Sequence, residues 1–248
     1  MLNKKKYFPT VVDNFFDKPD KIREFALDLE YKPDPLGRWP GLRTEFLHKI
    51  DLELSTAIML KILAVYHDFA FQNVKWTDSI IMFNKIKDNG DDELNKGWIH
   101  IDQKYELFGL CYLNPGVNNM DWGTSIYTRK KDFPVYIESR HHYKHMFFKG
   151  EELDIEQYKK SLNDHTAGFD ETVKIGNVYN RLVSYSGAEA HRMNALIKGE
   201  ERLTMLMFCN GIQPEANRFP ANRVRDKVNY DNFIYDTIDS LNAKNIKK

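Results

Sequence analysis

The sequence predicts a β-rich α+β fold, in which an antiparallel double-layer sheet is flanked by helices from both ends of the chain. Short apolar runs that alternate with polar residues, separated by turn-forming residues, lie between residues 76 and 214. Apolar residues recur at helical spacing before and after this region. A length of 248 residues suits one large domain. We therefore expect a single domain, 1–248, made of an N-terminal helical support at 1–75, a sheet core at 76–214 with an insertion at about 139–170, and a C-terminal helix at 226–248.

The N-terminal part predicts one strand and two helices. Phe8–Val12 is a short apolar run typical of a strand. Pro19 suits the first position of a helix, with Asp17 as its candidate cap. Arg38–Arg43 predicts a loop because its proline and glycine interrupt regular structure, and Leu52–Phe71 predicts a second, largely buried helix. The apolar stripe of the first helix consists of Ile22, Phe25, Ala26 and Leu29.

The sheet core is predicted from runs rich in β-branched and aromatic residues. The predicted strands are Ile80–Ile86, Tyr105–Asn114, Gly123–Thr128 and several between Val173 and Asn210. Residues 89–92 predict a turn, and residues 214–225 predict a loop. The insertion has its own character, with a histidine cluster followed by a helical pattern from Asp154 to Leu162. The C-terminal helix, Val228–Ile246, carries Phe233, Ile234, Ile238 and Leu241 at helical spacing.

The composition argues against strongly electrostatic partners. Lys and Arg number 36 and Asp and Glu number 36, so the formal net charge is zero, and neither nucleic acid nor a membrane surface is an expected partner. No stretch approaches the ~18 apolar residues of a membrane span. Lys4–Lys6 is not followed by the apolar region of a secretory signal, so we expect a soluble, cytoplasmic protein. Cys111 and Cys209 lie in apolar runs and predict two reduced, buried thiols, with a disulfide between facing strands as the alternative.

Two motifs carry the candidate chemistry. His100 and Asp102 have i, i+2 spacing, which in an extended backbone places an imidazole and a carboxylate on one face. They are two of the three ligand types of the facial triad that holds non-haem Fe(II). His191, which closes a predicted strand that starts at Asn180, is the candidate third ligand. Arg202 and Thr204 share one face of the next strand, where a guanidinium and a hydroxyl suit the binding of a carboxylate.

In this combination the chain resembles the Fe(II)- and 2-oxoglutarate-dependent dioxygenases, particularly their prolyl-hydroxylase-like branch. The family pattern is His-x-Asp, a distal His, then a basic residue followed two positions later by Ser or Thr. His100, Asp102, His191, Arg202 and Thr204 match it one by one. Tyr112-Leu113-Asn114 is similar to the family's strand after His-x-Asp, in which the Tyr contacts the co-substrate. The resemblance covers residues 76 to 214.

The resemblance implies a fold and an activity. The fold would be a double-stranded β-helix, also called a jelly roll or cupin-like core, supported by the terminal helices. His100, Asp102 and His191 would bind Fe(II), and Arg202, Thr204 and Tyr112 would bind 2-oxoglutarate, with ascorbate as a supporting reductant. The protein would use O2 to hydroxylate a peptidyl, amino-acid or other small substrate.

Two departures from the family pattern affect the co-substrate site. The family's Gly-Gly-Glu/Asp-Thr strand appears here as Trp122-Gly123-Thr124-Ser125. A Tyr that often precedes His-x-Asp is replaced within Phe83-Asn84-Lys85, which leaves part of the co-substrate contact unassigned.

Several alternatives stay open on sequence alone. The same ligands would serve a cupin-like metal- or ligand-binding module without oxygenase activity, which has no need of Arg202-x-Thr204. A nucleobase oxygenase is a third interpretation, disfavoured by the balanced charge. Arg202 could instead pair with Glu200 or Glu201, Tyr112 could be core packing, and Trp98 could be structural or could line the substrate pocket. His141, His142 and His145 favour a solvated or substrate-facing loop over a second metal site, the insertion could form a lid, and Arg38, Arg43 and Arg140 could serve an anionic substrate.

Overall fold

The computed structural model describes residues 7–70, 72–134, 138–196, 198–215 and 231–245, with the side chains of 138–141 and 245 excepted. Its helices are α1 (Pro19–Leu27), α2 (Leu47–Ile50), α3 (Leu52–Leu63), α4 (Glu138–Lys149), α5 (Ile155–Thr166) and α6 (Asp231–Asn245). Its strands are β1 (Thr10–Val12), β2 (Tyr31–Pro33), β3 (Leu42–Thr44), β4 (Val74–Lys75), β5 (Asp78–Lys87), β6 (Leu107–Tyr112), β7 (Asn118–Arg129), β8 (Phe169–Val178), β9 (Leu182–Ser186), β10 (Ala190–Met193), β11 (Glu201–Asn210) and β12 (Gln213–Pro214). The predicted mixture of helices with a large antiparallel sheet is confirmed.

A seven-stranded antiparallel sheet, in the order β1-β9-β6-β11-β5-β3-β2, is the largest layer of the fold. Its central strand β11 pairs with β5 along its whole length and with β6 on the other side. This register places Thr204 directly opposite both Asn84 and Tyr112. Residues opposite one another in an antiparallel pair project to the same face, so these three side chains form one row.

A three-stranded sheet, β10-β7-β8, packs against the inner face of the large sheet. Ile126 of β7 and Ile175 of β8 join one apolar cluster with Leu110, Tyr185 and Leu206 from the large sheet. Alternation along each strand explains the arrangement, because every second residue turns towards the space between the sheets. The two layers therefore face each other over a shared apolar core.

The outer face of the large sheet is covered by α1, α3 and α6. Phe83, Met205 and Cys111 point outwards from the sheet into a second apolar cluster with residues of these helices. The stripes predicted for the first and last helices are buried, as Ile22 and Ile234 are at most 1 % exposed, while Phe233 is 43 % exposed. Burial of these stripes supplies most of the stabilisation of the helices, since isolated helices of this length are marginal in water.

Two predicted helix boundaries were wrong. Asp17 is not the cap of α1: Lys18 takes that position without a side-chain cap bond, because the cap immediately precedes the first helical residue Pro19. The amide N–H of Asp17 donates to Asp231 Oδ2 of α6 instead (2.9 Å). The helix α3 ends at Leu63 rather than continuing to residue 71, because the next backbone N–H groups bond three residues back, as Tyr66 N does to Leu63 O (2.9 Å).

The strand predicted from Asn180 to His191 is two strands. β9 ends at Ser186 in the large sheet, and β10 begins at Ala190 in the small sheet. Gly187 makes this crossing possible, because a Cβ there would lie 2.3 Å from Tyr105 O and 2.7 Å from Asp102 O. The loop predicted at 38–43 also differs, since its end enters β3, which pairs with β5.

The insertion forms α4 and α5. His142 and His145 lie on α4, so the prediction of a loop was wrong for the described residues, and the side chains of Arg140 and His141 lie outside them. Most of the loop predicted at 214–225 is likewise outside. Cys111 and Cys209 are free and buried, as predicted. None of the helices in the described ranges combines the length and apolar character needed to cross a bilayer.

Candidate active site

Backbone pairing brings the two candidate histidine ligands together. His100 and His191 form an isolated antiparallel bridge, in which each amide N–H donates to the carbonyl of the other (2.9 Å both ways). Their ring centroids lie 4.3 Å apart. Asp102 follows in a short turn, and its amide N–H donates to Gly187 O (2.7 Å). The crossing at Gly187 thus holds the carboxylate beside the histidine pair.

The three side chains have the arrangement of a metal site. One ligand atom from each of His100, Asp102 and His191 lies within 4.8 Å of the other two. Asp102 Oδ2 is 3.4 Å from His191 Nε2. Two nitrogen or oxygen ligands of one ion, each about 2.1 Å from it, are separated by about 4 Å at most, so small side-chain rotations suffice to share an ion. In the described part of the chain, no other group of His, Cys, Asp and Glu clusters in this way.

Backbone carbonyls fix the tautomer of both imidazoles. His100 Nδ1 lies 2.8 Å from Trp98 O, and His191 Nδ1 lies 2.9 Å from Glu189 O. A carbonyl oxygen only accepts, so both Nδ1 atoms carry the proton, and both Nε2 atoms present a lone pair. This second layer of hydrogen bonds is what metal-binding histidines require.

The protonation states also suit metal binding. Burial, together with the neighbouring His191, lowers the pKa of His100 to about 3. Burial alone would raise the pKa of Asp102, but the neighbouring His191 and His100 and the charge of Arg43 outweigh it and lower the pKa to about 2. At neutral pH the site therefore offers an uncharged imidazole at His100 and an ionised carboxylate, the forms that coordinate a cation.

A cavity of about 880 Å³ lies over the inner face of the large sheet and includes the triad in its wall. Its size is typical of ligand-binding pockets. Arg202 and Thr204 of β11 line it and are 5 % and 1 % exposed. The guanidinium and hydroxyl that the sequence places on one strand face are thus both buried in the wall of the cavity that holds the triad.

Arg202 has no acidic partner in the described residues. Its Nε is buried without a hydrogen-bond partner, and its guanidinium lies over the Tyr112 ring, 5.4 Å from the centroid. Glu201 lies nearest to Lys85 (3.9 Å), so the alternative pairing of Arg202 with Glu201 is not seen. Burial lowers the pKa of Arg202, opposed by Tyr112, but a guanidinium stays protonated at neutral pH. A buried charge of this kind calls for an anion.

Tyr112 lies behind the cavity wall. It is fully buried, its hydroxyl donates to Thr124 Oγ1 (2.9 Å), and it is not among the described residues that line the cavity. Its position beneath the guanidinium supports Arg202. Direct contact between Tyr112 and a co-substrate stays a prediction.

Tyr185 is a cavity residue that the sequence motifs did not predict. This residue lines the cavity beside His191 (ring centroids 4.8 Å apart), and its hydroxyl is buried without a partner. Burial raises its pKa well above the usual value, so the hydroxyl stays a neutral hydrogen-bond donor. The signal was present in the alternation of Leu182–Ser186, which turns Tyr185 to the same face as Val183.

The sequence also did not place Asn84 and Arg43 in the cavity wall. Asn84 lines the cavity, and its Oδ1 is buried without a partner. Arg43 of β3 lies opposite Asn84, lines the cavity and has a buried Nε without a partner. Burial lowers the pKa of Arg43 to about 10, opposed by Asp102 and Asp34, so Arg43 is cationic at neutral pH.

The insertion packs directly beside the triad. Trp98 is buried, lines the cavity and donates from Nε1 to the Tyr158 hydroxyl (3.0 Å), so it has a structural role, and its contact with a substrate stays a prediction. His165 Nε2 of α5 lies 2.8 Å from Ile99 O, and Lys144 and Phe148 of α4 line the cavity. The position of the insertion is that required of the predicted lid.

Residues 2–205 match the family model DUF6445, described as a family of unknown function. The chain belongs to the DUF6445 family. No curated protein matches this DUF6445 member.

Several solved structures are similar to this DUF6445 member. A prolyl 4-hydroxylase from Phytophthora capsici is 14 % identical, with 82 % of this chain covered and a TM-score of 0.45; the chain spans 58 % of its length. A prolyl hydroxylase from Trichoplax adhaerens, solved with a hypoxia inducible factor peptide fragment, is 14 % identical over 82 % of this chain and 83 % of its own (TM-score 0.48). HygX from Streptomyces hygroscopicus, solved with nickel and 2-oxoglutarate, is 12 % identical over 82 % of each chain (TM-score 0.47).

Proposed function

We propose that this protein is an Fe(II)- and 2-oxoglutarate-dependent oxygenase that hydroxylates a peptidyl, amino-acid or other small substrate. The two facing sheets would be the core of a double-stranded β-helix. The observation that carries the proposal is the presence, in one cavity, of the His100, Asp102 and His191 triad and the buried guanidinium of Arg202, which no acidic residue described in the structure neutralises.

The triad fits a ferrous ion by the chemistry of its donors. Two imidazoles and one carboxylate leave adjacent coordination positions open for small ligands, as non-haem iron enzymes require. Bound iron and 2-oxoglutarate supply the oxygen-activating chemistry, in which the keto acid becomes succinate and CO2. The protein's own part is to bind, orient and shield the reactants.

Arg202 and Thr204 would bind the far carboxylate of 2-oxoglutarate, with the Tyr185 hydroxyl as a further donor. Leaving a buried polar group unsatisfied costs about 1–3 kcal/mol, and more when it is charged. The unpartnered Arg202 Nε and Tyr185 Oη therefore favour a ligand that accepts hydrogen bonds. A metal-binding module without a keto-acid co-substrate gains nothing from leaving these two groups unsatisfied, and this argues against the cupin-like alternative.

Apolar and aromatic side chains would keep water from the reacting end of the cavity. Phe108 stacks on the His191 ring, with centroids 5.2 Å apart and planes inclined by 23°. Trp98 and Phe148 close the side formed by the insertion. A water-poor wall strengthens each polar contact inside it and protects reactive species from side reactions.

Anaerobic ligand binding tests the proposal without a known substrate. The purified protein loaded with Fe(II) should develop a charge-transfer absorption when 2-oxoglutarate is added, and exposure to O2 should release succinate. The variant Arg202→Gln should require far more 2-oxoglutarate for both signals. The matched control Arg181→Gln removes a guanidinium that pairs with Asp13 outside the cavity and should behave as wild type. An iron-loaded wild type without either signal would refute the oxygenase.

A further inference from the structure

Three buried polar atoms remain on the cavity wall after the co-substrate contacts are assigned. They are Trp39 Nε1, Arg43 Nε and Asn84 Oδ1, and none has a hydrogen-bond partner in the described chain. Buried polar groups in native proteins are nearly always satisfied, so a group of unsatisfied atoms in one cavity indicates a ligand. The inference that follows rests on the proposed function and names the substrate class for the same cavity.

Arg43 lies apart from the co-substrate clamp of Arg202 and Thr204, with Asn84 between them. The sheet register sets Arg43 of β3 opposite Asn84 of β5, and Asn84 opposite Thr204 of β11. Side chains in such a row share one face, with neighbouring Cβ atoms about 5 Å apart. Arg43 is therefore two strands away from Thr204, at the far end of this row.

The guanidinium of Arg43 has a fixed orientation and no ion-pair partner among the described residues. It lies over the Trp39 ring, 4.3 Å from the centroid, a stacking contact that fixes its plane. The neighbouring acid Asp34 is already bound by Arg38 through both carboxylate oxygens (3.0 Å each). The other acid whose charge acts on Arg43 is Asp102, the candidate metal ligand. No ion pair of Arg43 occurs in the described ranges of the chain.

The wider cavity favours an anion. Cationic side chains in its wall outnumber acidic ones, although the whole chain is neutral. The cationic residues are Arg38, Arg43, Arg129, Lys144 and Arg202, and the acidic ones are Asp102 and Glu189. Charge of one sign on the walls of a poorly solvated cleft concentrates ligands of the opposite sign.

We propose that the primary substrate is a free α-amino acid, whose carboxylate binds Arg43 and whose ammonium group donates to Asn84 Oδ1. A guanidinium binds a carboxylate through paired N–H groups, and an amide oxygen accepts from an ammonium group. The two side chains are neighbours in one row, which matches the proximity of the two charged groups of an amino acid. Arg43, Asn84 and the triad line one cavity, so a head group bound at Arg43 and Asn84 leaves the substrate side chain free to approach the metal.

Substrate analogues test this assignment. Succinate release by the Fe(II)- and 2-oxoglutarate-loaded enzyme is measured with a panel of free L-amino acids, each compared with its carboxamide and its N-acetyl derivative. At least one amino acid should stimulate release and raise the anaerobic melting temperature of the loaded enzyme. Its carboxamide and its N-acetyl derivative should each bind at least about 10-fold more weakly, because each loses a charge-assisted hydrogen bond.

Variants of the two residues separate this proposal from the oxygenase assignment. Arg43→Gln should weaken amino-acid binding by about 30-fold while 2-oxoglutarate binding, followed by charge-transfer absorption, stays within twofold, and Arg43→Lys should restore part of the loss. Asn84→Leu should weaken binding of the free amino acid but leave binding of its N-acetyl derivative unchanged. The variant Arg181→Gln, whose side chain lies outside the cavity, is the control.

Three results would overturn the amino-acid assignment. One is an enzyme that binds 2-oxoglutarate and forms succinate yet responds to no free amino acid. The second is equal stimulation by the acid, the amide and the N-acetyl compound. The third is an Arg43→Gln variant that loses 2-oxoglutarate instead, which would move Arg43 to the co-substrate. Loss of 2-oxoglutarate binding in the wild type would instead refute the oxygenase itself.

Discussion

His100 and His191 are paired through their backbones as well as through their side chains, since each amide N–H donates to the carbonyl of the other. The two candidate ligands come from segments that are distant in sequence and lie at the seam between the two sheets. Their relative position is therefore set by strand pairing, which is stiffer than side-chain packing. A site built on such a pair is held in place before any ion binds.

Removal of the candidate carboxylate ligand should abolish metal binding. We expect Asp102→Ala to lose stoichiometric Fe(II) and all succinate formation together, because two imidazoles alone form an incomplete site. Metal content after anaerobic loading and desalting measures this. Glu189→Gln is the matched control, since its side chain lines the same cavity without belonging to the triad. Full iron content in Asp102→Ala would contradict the assigned ligand set.

Truncation of Arg202 should act on the co-substrate alone. Arg202→Ala removes a charge-assisted contact worth about 1.5–3 kcal/mol, so the 2-oxoglutarate concentration at half-saturation should rise at least about 10-fold. Iron binding should stay close to that of the wild type. Titration of the anaerobic iron-loaded protein with 2-oxoglutarate measures the change, and an unchanged requirement would remove Arg202 from its role.

The Tyr185 hydroxyl should lower the stability of the ligand-free protein and also raise its affinity for 2-oxoglutarate. Tyr185→Phe deletes a buried hydroxyl that has no partner, so the ligand-free protein should gain about 1 kcal/mol in free energy of unfolding. Binding of 2-oxoglutarate should weaken several-fold, because the ligand loses a donor. Urea unfolding and ligand titration on the same samples test both signs. A variant that is less stable and binds normally would assign the hydroxyl a purely structural role.

Gly187 should tolerate no side chain. In Gly187→Ala the new methyl group meets Tyr105 O and Asp102 O, so we expect a loss of about 1–3 kcal/mol in stability and reduced iron content. Gly109→Ala is the control, because its nearest contact is the flexible end of Met207. Thermal unfolding and metal analysis compare the two variants. Equal behaviour of both would show that the crossing can relax.

Acid should destabilise the metal-free protein from below about pH 6.5. The pKa of His100 is lowered to about 3 in the folded state, and that of Asp102 to about 2, so the unfolded chain binds more protons at both positions. Stability therefore rises with pH through these windows and is lost as pH falls, first through His100 and then through Asp102 below pH 4. Urea unfolding of the metal-free protein at pH 7 and pH 5 should show a loss of about 2 kcal/mol that His100→Gln removes.

The sequence allowed the mixed fold class and the grouping of the candidate ligands to be predicted, because both depend on short-range spacing. His100 and Asp102 are two residues apart, and Arg202 and Thr204 share a strand face by alternation alone. The crossing at Gly187 was not predicted, since continuous apolar alternation gives no sign that a strand changes sheets. Asn84 and Arg43 were hard to place for a related reason: their neighbourhood depends on which strands pair, and pairing between strands 40 residues apart leaves no local pattern.

The bonds from α5 to the segment before His100 couple the insertion to the triad. His165 Nε2 is hydrogen-bonded to Ile99 O, and the indole N–H of Trp98 donates to the Tyr158 hydroxyl. The carbonyl of Trp98 in turn accepts from the His100 ring. If the insertion swings outward to admit a molecule, it must either break these bonds or carry the His100 backbone with it. Outward movement of the insertion would then displace His100 from the other two ligands. The open insertion and the complete set of iron ligands could not exist at the same time.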